Sequence, residues 1–124
     1  MSQFMDTAFC PDKVLGIEKN TFADSIHQLE DEVGFEFMCI KCVRKGLVQY
    51  ISAAFDSGCR TAEHNLDCVP HVDASVEELS AIFRKGMAGE KLTQREIEAY
   101  KTDLLLTCAQ EYAKRGMTMQ IRFI

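Results

Sequence analysis

Apolar side chains recur along this chain at the three- and four-residue steps of an α-helix in four stretches, separated by turn residues. The first runs through Phe22, Ile26, Leu29 and Val33, opens at Asn20 or Thr21, and stops at Gly34 in the manner of a C-terminal cap. The second keeps helical spacing from Phe37 through Ile40, Val43, Leu47, Ile51 and Ala54, which predicts a helix over 36–57, with Gly46 inside it and Gly58 ending it. With almost nothing between them, these two helices are expected to form an antiparallel hairpin. A second pair follows. Ser75-Val76-Glu77-Glu78 and Thr93-Gln94-Arg95-Glu96 both read as capping boxes. Val76, Leu79, Ile82 and Phe83 form the buried stripe behind the first. Ile97, Tyr100, Leu104, Cys108 and Tyr112 mark a helix of about six turns behind the second, ending at Gly116.

Between and after these stretches the period changes. Residues 59–68 have no helical period and fit a short strand entering a loop, with Pro70 barring helix. Met117 to Ile124 also reads as strand. Lys13-Val14-Leu15-Gly16-Ile17 fits either a strand or a helical turn, after an irregular start closed by Pro11. The expected fold is α/β and predominantly helical: two antiparallel helical pairs with two or three short strands, within one helix-rich domain over 1–124. Strands separated by helices favour parallel pairing. A chain finishing on apolar strand residues is expected to be cut from a larger fold, and an unpaired strand of this kind is expected to self-associate.

Composition narrows the partners. Of 124 residues, 47% are hydrophobic and 27% charged, with a net charge of −5, so neither disorder nor a basic nucleic-acid or membrane face is expected. No run approaches the roughly 18 apolar residues of a membrane span. The first residues carry no signal-peptide pattern, and a cytoplasmic protein is expected. The six cysteines, Cys10, Cys39, Cys42, Cys59, Cys68 and Cys108, are then expected to be free thiols.

Cys39-Ile40-Lys41-Cys42 has the spacing of a redox dithiol or half a zinc site. The competing reading buries it inside the second helix as small packing groups, and zinc needs a second pair, for which only Cys59 and Cys68, with His64 and His71 between them, are available. His27 reads as a solvated helix residue. Glu77, Glu78, Glu90, Glu96 and Glu98 read as caps and a solvated face more readily than as an acid cluster. Met5, Met38, Met87, Met117 and Met119 offer either core filler or an adaptable surface.

Three segments carry a family resemblance. Phe9-Cys10-Pro11-Asp12-Lys13-Val14 resembles the Phe/Trp-Arg-Pro-Asp-Lys segment of uronate isomerases. Phe55-Asp56-Ser57-Gly58-Cys59-Arg60-Thr61-Ala62-Glu63-His64-Asn65-Leu66 resembles their Gly-Cys-Arg-x-Ser-Asp-His-Gly segment. Leu92-Thr93, Tyr100-Lys101, Leu104-Leu105-Leu106 and Met119-Gln120-Ile121-Arg122 resemble the helix and strand that lead to their Gln-x-His. The resemblance implies the amidohydrolase superfamily and a (β/α)8 barrel of which this chain is a fragment with its helical insertion. It also implies aldose–ketose isomerisation of a uronate sugar acid such as glucuronate or galacturonate, in a parent enzyme that uses a divalent metal such as zinc. No metal ligand or cofactor is assigned to this chain, which lacks a His-x-His pair.

By that resemblance, Glu63 and His64 occupy catalytic positions, and Cys10, Arg60 and Arg122 occupy substrate-binding positions, with residues 60–64 and 120–124 near the C-terminal ends of barrel strands. Three of these depart from the family. Cys10 replaces an arginine suited to clamp a carboxylate, Glu63 replaces an aspartate, and Arg122 replaces a histidine. Together they predict an inactive or re-purposed member. A free-standing helical interaction module and a cysteine-based metal or redox domain are the alternative functions.

Overall fold

In the computed structural model, residues 11–66 and 71–123 are described. The elements in chain order are α1 (Asp12–Leu15), α2 (Phe22–Val33), α3 (Ile40–Asp56), β1 (Thr61–Leu66), α4 (Val76–Met87), α5 (Gln94–Arg115) and β2 (Thr118–Phe123). The segment after Pro11 is therefore a helical turn. Helix α2 buries Phe22, Ile26 and Leu29 and ends at Gly34, whose φ of 86° lies in the left-handed region that lets its N–H reach back to Glu30.

Helix α3 corrects the expected start. It begins at Ile40, four residues after the apolar spacing suggested. Phe37 is buried but lies outside the helix. Its backbone N–H donates to Glu30 Oε2 at 2.7 Å, and its ring stacks at a tilt on Phe35. The carboxylate thus satisfies the Phe37 N–H outside the helix. The Phe37 ring also explains Gly46, since a Cβ there would overlap it.

The caps differ in completeness. Thr93 and Glu96 form both bonds of a capping box, and Glu96 also meets Lys85 at 2.8 Å. Ser75 accepts from the Glu78 N–H at 3.1 Å, but the Glu78 carboxylate pairs with Arg95 instead of returning to the cap. These contacts leave Glu78 and Glu96 as cap and helix-surface partners.

Helix α5 is the centre of the packing. It lies against α1, α3, α4 and β2, and buries Tyr100, Leu104, Leu105, Cys108 and Tyr112. Phe22 of α2 meets Tyr100 and Phe83 edge-on, with ring centroids 5.6 and 6.2 Å apart. Arg44 of α3 forks onto Asp103 of α5 through Nε and Nη2.

The two described strands pair in parallel, with Thr61 opposite Thr118 and Leu66 opposite Phe123. Alternation gives the sheet two faces. Ala62, His64 and Leu66 are buried. Their partners Met119, Ile121 and Phe123 share that face but become progressively uncovered, Phe123 to 64%. Glu63, Asn65, Gln120 and Arg122 lie on the other face.

Candidate functional site

The strands divide the predicted residues. Because neighbours on a strand point to opposite faces, Glu63 and His64 lie on opposite faces of the sheet. Glu63 shares its face with Arg122, whose Nε lies 3.4 Å from Glu63 Oε2, diagonally across the ladder. The strand ends also separate the two arginines. Arg60 precedes β1 at its N-terminal entry, whereas Arg122 lies in the C-terminal half of β2. This corrects the expectation that all of 60–64 cluster at a strand C-terminus. The Arg60 guanidinium lies 3.8 Å over the Phe55 ring, and its Nη1 donates to the Phe55 and Cys59 carbonyls at 2.8 and 3.0 Å. It closes the end of α3. Cys10 lies outside the described residues.

His64 turns inward and has no exposed surface. Its Nε2 is 2.8 Å from the Tyr112 hydroxyl on α5, and its Nδ1 is 3.3 Å from Asp12 Oδ1 on α1. A carboxylate only accepts, so the proton belongs on Nδ1 and Nε2 accepts from Tyr112. The Nδ1 contact falls short of a formed hydrogen bond and is chiefly electrostatic. Asp12 Oδ2 takes the Asn65 backbone N–H at 2.8 Å and its side-chain amide at 3.2 Å. Burial raises the Asp12 pKa, but His64 and the two Asn65 donors outweigh it and hold the carboxyl below its ordinary range. Helix α1, strand β1 and helix α5 are thus tied at one histidine. Sequence reasoning missed Asp12 and Tyr112 as its partners. A tyrosine on a buried stripe does announce that its hydroxyl needs a partner, but nothing in the spacing says that the partner lies 48 residues away.

His71 is exposed, and His27 is exposed beside Glu30. Among the described residues no group of three or more His, Cys, Asp or Glu is placed to hold a metal. Of the two His64 nitrogens, Nε2 is taken by Tyr112 and Nδ1 faces Asp12 without a formed hydrogen bond. No described helix is long and apolar enough to cross a membrane. A cleft of ≈ 90 Å³ lined by Lys13, Ser25, Gln28, Glu32 and Tyr50 falls below the roughly 300 Å³ at which small-molecule pockets begin. Neither Glu63 nor Arg122 lines it.

The family model described as glucuronate isomerase matches residues 4–124. The chain belongs to the glucuronate isomerase family. A uronate isomerase from Halalkalibacterium halodurans is 38% identical over 112 residues, which are 90% of this chain and 24% of that protein. One from Caldicellulosiruptor bescii is 34% identical over 91% of this chain and 24% of its own length. The chain therefore spans about a quarter of the length of the curated relatives it matches. Among solved structures, the uronate isomerase of Thermotoga maritima superposes with a TM-score of 0.83 at 21% identity, covering 92% of this chain and 25% of that one. The glucuronate isomerase of Caulobacter crescentus gives 0.78 at 23% identity, covering 93% and 24%. Those two likenesses concern the fold, and they agree with a predominantly helical chain carrying a short parallel sheet.

Proposed function

We propose that this chain is one domain-sized segment, 1–124, of a cytoplasmic uronate isomerase, supplying two neighbouring strands of a (β/α)8 barrel and two antiparallel helical pairs outside it. The parent reaction is aldose–ketose isomerisation of glucuronate or galacturonate, in which a proton leaves C2 and is returned at C1. The observation that carries this reading is the Glu63–Arg122 pair across two parallel strands, in a chain of isomerase family. Active sites of βα barrels lie at the C-terminal ends of their strands. Glu63 is suited to general-base work there, and Arg122 to holding the substrate carboxylate. His64 acts as a positioning residue through Asp12 and Tyr112. The divalent metal of the parent enzyme belongs to residues other than those described here.

The segment alone is expected not to isomerise uronates. A coupled assay on the 124-residue chain with glucuronate and galacturonate, with and without zinc, should show no turnover, and metal-dependent turnover would overturn this. Exchanged into the matching segment of the Halalkalibacterium enzyme, the chain should retain measurable activity despite its departures at Cys10, Glu63 and Arg122, and Glu63→Gln should lower it by roughly 100-fold. An unchanged rate would remove Glu63 from the mechanism.

Ile121 and Phe123, 39% and 64% exposed on the helix-facing side of β2, favour self-association of the isolated chain. Gel filtration should show a dimer or larger species that Phe123→Lys dissociates. A clean monomer at micromolar concentration would sink this expectation.

A further inference from the structure

The late start of α3 changes the setting of the Cys-x-x-Cys segment. Cys39 is not inside the helix but is its N-cap, with extended backbone at φ −157° and ψ 172°, and Cys42 is the third helical residue. One turn brings their sulfurs to 3.7 Å. Both thiols are partly exposed, while Cys59 and Cys108 are buried. The turn is anchored from outside, because the Ile40 N–H donates to Ser80 Oγ of α4 at 3.1 Å. It is anchored from within by the Cys39 carbonyl, which accepts from the N–H groups of Cys42 and Val43 at 3.1 and 3.3 Å.

That placement is chemically asymmetric. The first-turn N–H groups and the positive end of the helix dipole favour negative charge at the N-cap sulfur, not one turn further in. The Cys39 sulfur accepts no cap hydrogen bond, since the Cys42 N–H donates to the Cys39 carbonyl, but the nearby Cys42 N–H, with the Cys42 thiol and Lys41, holds the Cys39 thiol below its ordinary range against the opposing effect of burial. In Cys108, by contrast, burial pushes the thiol up to about 12.

We propose that Cys39 and Cys42 are a redox-active dithiol that exchanges with small disulfides of the glutathione class, Cys39 attacking and Cys42 resolving. The Cys39 thiolate attacks one sulfur of the small disulfide and expels the other as a thiolate, leaving a mixed disulfide on Cys39. Cys42, giving its proton to solvent, attacks the Cys39 sulfur and expels the second small thiolate. The two cysteines are oxidised to one disulfide, and the small disulfide is reduced to two thiols. Closing the bond needs the sulfurs to move from 3.7 Å to about 2 Å, a side-chain rotation in an already formed turn.

The full chain, equilibrated with glutathione disulfide and mapped by peptide mass spectrometry after alkylation, should carry a Cys39–Cys42 disulfide with Cys108 unmodified. Cys42→Ser should accumulate glutathione on Cys39, and Cys39→Ser should form no disulfide at Cys42. In the native chain at neutral pH, Cys39 should react with iodoacetamide roughly fivefold faster than Cys42, and in denaturant the two rates should converge. The proposal is overturned if both thiols stay reduced in the oxidised buffer, if Cys39 links instead to another cysteine, or if the two rates are equal in the folded chain. Matching circular dichroism spectra for the variants keep a folding defect from imitating any of these results.

Discussion

Tyr100→Ala is expected to lower the unfolding free energy by about 3–5 kcal/mol, and Tyr100→Phe by about 1–2 kcal/mol. The ring is fully buried in the N-terminal half of α5 and meets Phe22 of α2 edge-on. Phe22 in turn meets Phe83 of α4, so the cavity left by alanine opens where three helices converge. The hydroxyl does separate work. It donates to the Val14 carbonyl at 2.9 Å and so fixes α1, a four-residue turn too short to stand without tertiary contacts. Phenylalanine keeps the packing but orphans that carbonyl. Small domains have only about 5–15 kcal/mol in total, so the alanine variant should be close to unfolded at room temperature. Urea denaturation at neutral pH measures both losses. A phenylalanine variant as damaged as the alanine variant would show that the bond to Val14, and not the packing, dominates at this position. Two variants within 0.5 kcal/mol of the native chain would refute the central role of Tyr100 altogether.

The helices were legible because their signal is local. Phe22, Ile26 and Leu29, or Tyr100, Leu104, Cys108 and Tyr112, repeat within one element, and the Thr93 capping box and Gly116 mark the limits of α5 within a few residues. The start of α3 was not legible, because Phe37 continues the apolar spacing while its N–H is taken by Glu30, a residue of the preceding helix. That one misplaced boundary also hid the character of Cys39, which is unremarkable inside a helix and activated at its N-cap. The arrangement of the candidate site was hidden for the complementary reason. Motif order brings Glu63 and His64 together in sequence, yet the strand's two-residue period sends them to opposite faces. Arg60, in the same motif, is occupied with the carbonyls at the end of α3. What puts Arg122 beside Glu63 is the register of β1 on β2, and pairing register between strands separated by two helices is set by the whole fold.

The tie between Asp12, His64 and Tyr112 gives the second large effect, and its pH dependence separates it from ordinary packing. His64→Ala is expected to cost about 2–4 kcal/mol, since it empties a fully buried site and leaves the Asp12 carboxylate without its imidazole. Asp12→Asn keeps the shape but loses the charge, at a cost of about 1–2 kcal/mol, because the carboxylate keeps 28% of its surface exposed and its bonds are partly screened. Asp12 has its pKa depressed in the folded chain. Its stabilisation is therefore fully present above the unfolded aspartate value of about 3.9 and is lost as pH falls through the lower folded value. The stability gap between the native chain and Asp12→Asn should stay level from pH 7 down to about pH 5, then close as the solution becomes more acidic. Denaturation midpoints of both chains across that range test it. A gap that widened on acidification would contradict the direction of the shift, and a gap unchanged at pH 3 would mean that the Asp12 charge contributes nothing to holding α1 against β1. Because Asp12 also receives both amide donors of Asn65, opposite Arg122 in the ladder, the same substitution should loosen the C-terminal half of β1. Hydrogen exchange at the Asn65 amide, faster in Asp12→Asn and unchanged in a distant surface variant, would place that effect at the end of the sheet that carries Arg122.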